Sequence, residues 1–147
     1  MNSKRAHISF EFFPPFTSTG QKSLLKVAQR LNIFKPEYFS VTYGAGGTTR
    51  ERTHETVSSL CQFGYTTVPH LSWGADTKSE ILELLDSYAQ LEIGRVVALR
   101  GDLPSGLGNK QNIRYAKDLV NLIRKNHPSW LVEVAAYPEV HPDADNH

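Results

Sequence analysis

The first chemistry-bearing feature of the chain is a carboxylate set among aromatic residues, Glu11 in Ser9-Phe10-Glu11-Phe12-Phe13-Pro14-Pro15. On a buried strand such a group is costly unless it is paired, or kept neutral by a raised pKa. A carboxyl that keeps its proton near neutral pH is what a general acid requires. The competing reading is structural, a Glu paired with a basic side chain across a barrel floor. A second run, Ser40-Val41-Thr42-Tyr43-Gly44-Ala45-Gly46-Gly47-Thr48-Thr49, is a Gly-rich turn from strand to helix. Such a turn lets backbone approach a ligand closely and presents helix N-terminal amides to an anion. It is not the dinucleotide fingerprint, because Thr49 stands where the third glycine belongs. A plain tight turn explains it equally well.

Three further segments complete the set. Pro69-His70-Leu71 offers a lone imidazole, a residue type more often found satisfied in a core than acting on a ligand. In Val97-Ala98-Leu99-Arg100-Gly101-Asp102-Leu103-Pro104, Arg100 and Asp102 flank a glycine. They either pair with each other or address the polar edge of a flat ligand lying against Gly101. Ala135-Ala136-Tyr137-Pro138-Glu139-Val140-His141-Pro142 adds an aromatic surface and a second imidazole. His70, Asp102, Glu139 and His141 are all capable metal ligands, but no H-x-H or H-E-x-x-H spacing joins them, so no metal is expected.

The elements that must position these residues alternate. Strands are expected at His7–Phe13, Tyr38–Tyr43, Thr66–Leu71, Arg95–Arg100 and Leu131–Ala136. Between them run helical stripes: Leu24, Leu25, Ala28 and Leu31; Ile81, Leu84, Leu85 and Tyr88; Ala116, Leu119, Val120 and Ile123. Capping boxes at Thr48-x-x-Glu51 and Thr77-x-x-Glu80 mark two helix starts. Pro14, Pro15, Pro36 and Pro128 punctuate element ends. Strand–helix alternation implies parallel strands with right-handed crossovers. An open doubly wound sheet normally advertises its ligand in a Gly-rich first βα turn, but the first turn here is Phe-Pro-Pro-Phe. The chemistry sits instead at the C-terminal ends of successive strands, where barrels place their sites. The expected fold is therefore α/β of the (β/α)8 TIM-barrel type. A full barrel takes about 250 residues, so a chain of 147 is expected to be truncated to about five strands and four helices.

Composition agrees with a soluble globular chain: 39% hydrophobic, 21% charged and a formal net charge of +1. Such a balance gives no reason to expect a nucleic-acid or anionic-membrane partner. No apolar run approaches the roughly 20 residues of a membrane helix, and no signal peptide is legible. The expected compartment is the cytoplasm. The single cysteine, Cys61, reads as a buried thiol on a helix rather than a nucleophile.

Taken together and in order, SFEFFPP, SVTYGAGG-TTRERTH, PHL, ALRGDLP and AAYPEVHP resemble the methylenetetrahydrofolate reductase family, from about Ile8 to Pro142. The resemblance implies a barrel that binds FAD without a Rossmann turn and takes NADH or NADPH as hydride donor. It implies reduction of 5,10-methylenetetrahydrofolate to 5-methyltetrahydrofolate. Glu11 matches the family's catalytic acid, with its aromatic neighbours as the reason for a raised pKa. Thr42 matches a contact to the nicotinamide donor. Tyr43, Ala45, His70, Arg100, Gly101 and Asp102 match flavin contacts, as do Tyr115 and Ala116. Asp102 would also meet the pterin and take part in catalysis; Tyr137, His141 and Ala144 would line the ribityl and phosphate part.

The family's barrel continues for about as many residues again. All of residues 1–147 are thus expected to form the N-terminal part of one barrel domain. Isolated, it would hold FAD weakly or not at all unless it forms a homo-oligomer or meets a complementary C-terminal half. A non-catalytic remnant is the competing reading, and a metal-dependent barrel hydrolase or lyase a distant third.

Overall fold

The computed structural model describes residues 6–43, 47–74, 76–100, 115–136 and 139, without the side chains of residues 47–49. Within them, five strands and four helices alternate: β1 (Ser9–Phe12), α1 (Ser18–Leu31), β2 (Tyr38–Val41), α2 (Gly47–Gln62), β3 (Thr67–Ser72), α3 (Lys78–Gln90), β4 (Arg95–Leu99), α4 (Ala116–Asn126) and β5 (Leu131–Val134). A short 3-10 turn, Asn32–Phe34, follows α1. Each strand expected from the sequence is present but trimmed, because only residues facing a neighbouring strand join the ladder. β1 loses His7, Ile8 and Phe13, while β3 loses Thr66 and runs on to Ser72.

All pairings are parallel, in the sequential order β1-β2-β3-β4-β5. That order has no reversal, and a doubly wound sheet needs one to carry helices on both faces. Here one face carries the apolar layer. Phe39, Val41, Leu71, Val96 and Ala98 from the strands form a single cluster with Leu24 and Ala28 of α1, Val57 and Leu60 of α2, Ile81, Leu84, Leu85 and Tyr88 of α3, and Leu119, Leu122 and Ile123 of α4. Period-two alternation sends the intervening strand residues to the opposite face. The sheet is thus singly wound, consistent with a segment of a TIM-barrel-like fold.

Local chemistry explains the helix ends. Thr17 accepts from the Gly20 amide at 3.0 Å and caps α1. At α3 the expected capping box is formed: the Glu80 amide donates to Thr77 Oγ1 and the Thr77 amide to Glu80 Oε2. The Thr48 box falls on a side chain outside the described residues. Gly64, at φ +81°, takes the left-handed conformation that ends α2. Among the described residues no helix is long and apolar enough to cross a membrane.

Candidate functional site

Parallel register puts the polar strand residues in rows on the face away from the helices. Glu11 stands beside Ser40, and His70 beside Val97, which in turn faces Glu133. These side chains line a groove of about 350 Å³, with Tyr38 toward its N-terminal end and Leu99 toward its C-terminal end. At its centre, His70 Nε2 lies 3.6 Å from Glu11 Oε2. The imidazole is largely buried, its side chain 12% exposed, whereas that of Glu11 is 52% exposed. Burial lowers the pKa of His70; the carboxylates of Glu11 and Glu133 pull it partly back. The ring is therefore mostly neutral at pH 7, and its Nε2 can donate to a Glu11 carboxylate or accept from a Glu11 acid.

A second polar layer lies toward the N-terminal ends of the strands. Tyr38 donates its hydroxyl to Glu133 Oε2 at 3.1 Å. Arg95 Nη1 approaches Glu133 Oε1 at 3.6 Å and Glu37 Oε1 at 3.1 Å, with the guanidinium 5.1 Å above the Tyr38 ring. The hydrogen bond from Arg95 holds the Glu37 carboxyl below the usual range. This network ties β2, β4 and β5 together beneath the groove.

The aromatic enclosure expected around Glu11 is not formed. Alternation turns Phe10 and Phe12 to the helix side, where they stack on Phe39 at 6.1 and 5.5 Å. Glu11 itself projects from an edge strand into the open groove. Its neighbour is an imidazole rather than a wall of rings.

The other expected site residues divide into four groups. Thr42 is buried at the end of β2, its amide donating to Phe12 O at 2.9 Å and its carbonyl accepting from Thr53 Oγ1 at 3.0 Å. Arg100 follows β4 directly and is half-buried. Tyr43 turns the other way: its ring packs against the helix-side core and its hydroxyl donates to Asp76 Oδ2 at 3.3 Å. Tyr115 precedes α4, its amide capped by Asp118 Oδ2 at 2.9 Å, and Ala116 is the first helical residue. Ala45, Gly101, Asp102, Tyr137, His141 and Ala144 lie outside the described residues. The structure thus joins Glu11 to His70 and separates the Tyr43 side chain from the groove.

Glu133 and Tyr38 are groove residues the sequence reading missed. Leu131-Val132-Glu133-Val134 carries the signal that singled out Glu11, a carboxylate at an alternate position of an apolar strand, and the same logic would have found it. Cys61 is half-buried on α2, and burial pushes its thiol up, away from nucleophilic use.

The methylenetetrahydrofolate reductase family model matches residues 1–147. The 5,10-methylenetetrahydrofolate reductases of Salmonella typhimurium and Escherichia coli are each 42% identical over 139 residues, covering 94% of this chain and 46% of theirs. Methylenetetrahydrofolate reductase (NADH) 1 of Arabidopsis thaliana is 36% identical over 141 residues, 92% of this chain and 24% of that protein. The crystal structure of Streptococcus suis SuiB covers 95% of this chain and 43% of its own at 11% identity, with a TM-score of 0.42, too distant to carry weight. The chain thus spans about half the length of the bacterial relatives it matches. With the family match running from first residue to last, over a singly wound parallel sheet that carries a carboxyl–imidazole pair in its groove, the chain belongs to the methylenetetrahydrofolate reductase family.

Proposed function

We propose that residues 1–147 form the N-terminal part of a single (β/α)8 barrel that reduces 5,10-methylenetetrahydrofolate to 5-methyltetrahydrofolate with FAD and NADH or NADPH. The observation that carries this reading is the Glu11–His70 pair, 3.6 Å apart on the polar face of the sheet. Opening the folate's five-membered ring requires a proton on the departing nitrogen, and Glu11 holds the position from which to give it. His70 backs that carboxyl: a mostly neutral imidazole orients it and shares its proton.

The groove fits a flavin in part. At about 350 Å³ it lies at the low end of small-molecule sites, room for one heterocycle rather than a whole dinucleotide. Its polar edges, from Ser40, His70 and Glu11, suit a ring with donors and acceptors on its rim. By resemblance, Thr42, Tyr43, Ala45, His70, Arg100, Gly101, Asp102, Tyr115, Ala116, Tyr137, His141 and Ala144 would hold the cofactor, Asp102 also meeting the pterin. FAD, when bound, supplies the two-electron relay between the nicotinamide and the folate's one-carbon bridge. The residues' own work is to seat the rings, hold their polar edges and pass a proton through Glu11.

A second reading, in which flavin is retained only with a complementary C-terminal half or a second copy, is favoured by edge strand β5. There Leu131 and Val134 are each 55% exposed, an apolar edge that is unpaired among the described residues and invites pairing.

The test is a FAD titration of the purified chain, alone and mixed with the remaining half of a longer relative, followed by anaerobic NADH. Flavin absorbance that NADH bleaches and methylenetetrahydrofolate restores supports the proposal. Protein that stays colourless in both mixtures sinks it. In the active assembly, Glu11→Gln should leave bleaching by NADH nearly intact and slow folate reduction by about 10²- to 10⁴-fold. An equal fall in both half-reactions removes Glu11 from the proton-donor role.

A further inference from the structure

Tyr43 follows β2 by two residues at the brink of the Gly-rich turn, yet its ring lies among the helix-side apolar residues. Its hydroxyl meets Asp76 Oδ2 at 3.3 Å. Asp76 is itself held at two further points: Arg50 Nη1 of α2 lies 3.7 Å from its Oδ1, and Trp73 Nε1, just after β3 in the same connection, donates to its carbonyl at 3.1 Å. Arg50 is anchored in turn, its Nη2 donating to Glu80 O in the first turn of α3 at 2.7 Å. One acidic residue in the β3–α3 connection therefore clasps the end of β2, the start of α2 and the end of β3.

We infer that Asp76, braced by Arg50, pegs the Tyr43 side chain into the helix layer. Tyr43 is then a positioning residue, and a ligand at this strand end meets main chain instead of the phenol. The inference rests on reading the C-terminal end of β2 as a wall of the flavin site. Its physical basis is alternation. Thr42 belongs to the row of Ser40 on the groove face and Tyr43 to the row of Val41 on the core face, and a hydrogen-bonded ring on the core face cannot swing across the strand to touch a ligand. A clasp of three elements also holds the strand end at a fixed height, which positions the backbone more tightly than a free loop would.

The Tyr43 phenol supplies a direct readout. Burial, and then the nearby Asp76 carboxylate, push it up to about 12, against a smaller opposing pull from Arg50. In chain labelled with [13Cζ]tyrosine, the resonance that disappears in Tyr43→Phe should stay at its phenol position up to pH 11. In Asp76→Asn it should begin to move at lower pH. Identical titrations in the two proteins would overturn the peg.

Hydrogen exchange at the Thr42 amide gives a second measurement that survives if one variant folds poorly. Tyr43→Phe and Asp76→Asn should each speed it about fivefold, the factor equivalent to roughly 1 kcal/mol for one hydrogen bond. The double variant should match the singles, because one tether is lost in all three. Multiplying effects, or none in Tyr43→Phe, would refute the single tether. Adding FAD to the wild-type chain separates the two ideas. Failure to shift the Thr42 and His70 resonances both alone and with the remaining half of a longer relative present counts against the flavin reading and leaves the peg to be decided by the titration and exchange results.

Discussion

Acidification from pH 7.5 to 5.5 should destabilise this fold through two histidines, His54 and His70. Both are shifted below the ordinary histidine value of 6.5, and in both the first cause is burial. His54 on α2 lies with its ring 5.3 Å from that of Tyr88 on α3, with Arg50 pushing further down and Glu55 pulling up. His70 faces Glu11 and Glu133, whose charges only partly offset burial. The unfolded chain therefore binds more protons than the fold between the lowered values and about pH 6.5. Stability then rises with pH across that window, is complete above it, and is lost as pH falls. Each histidine contributes a slope of at most about 1.4 kcal/mol per pH unit. With a urea m-value of roughly 1–3 kcal/mol/M, a one-proton slope moves the midpoint by about 0.5–1.4 M per pH unit. Urea unfolding followed by circular dichroism at constant ionic strength measures it. His70→Gln and His54→Gln should each flatten the dependence, and the double variant should nearly abolish it. A midpoint that stays level on acidification, or a fall that persists in the double variant, would refute the assignment. Glu37 and Glu80, both held below the usual carboxylate range, act elsewhere. Their contribution is present above the unfolded carboxylate value and lost only as pH falls through their lowered ones.

Three substitutions test the packing beneath the site. Phe39→Ala removes a ring that is 1% exposed and contacts Phe10, Phe12 and Tyr65; it should cost about 3–5 kcal/mol in urea unfolding. Tyr88→Phe should be neutral or stabilising, because the Tyr88 hydroxyl is buried without a hydrogen bond among the described residues, and its desolvation is relieved when it goes. A loss above about 1 kcal/mol would reveal a partner. Thr77→Ala removes the cap that accepts from the Glu80 amide and should cost about 1 kcal/mol, seen as faster exchange of the first-turn amides of α3.

What the sequence determined by itself is the alternation and its consequences. Period-two runs place Phe39 and Val41 on one face of β2 and Ser40 and Thr42 on the other. The 3.6-residue stripes of α1, α3 and α4 identify the faces that bury, and Thr77-x-x-Glu80 marks where α3 begins. These are local: each follows from backbone geometry within a few residues. The same locality explains why Glu11 and His70 were legible as strand residues of functional type.

Tertiary structure alone decided what those residues meet. Phe10 and Phe12, adjacent to Glu11 in sequence, are on the far side of the sheet, and its neighbour is His70, two strands away. Glu133 reaches the same groove only because parallel register aligns it with Val97 and His70. The Tyr43 hydroxyl meets Asp76, a residue in another loop. A strand specifies which way its side chains point. The stagger between strands and the residues of distant loops specify what lies there, and those long-range pairings arise only when the sheet assembles.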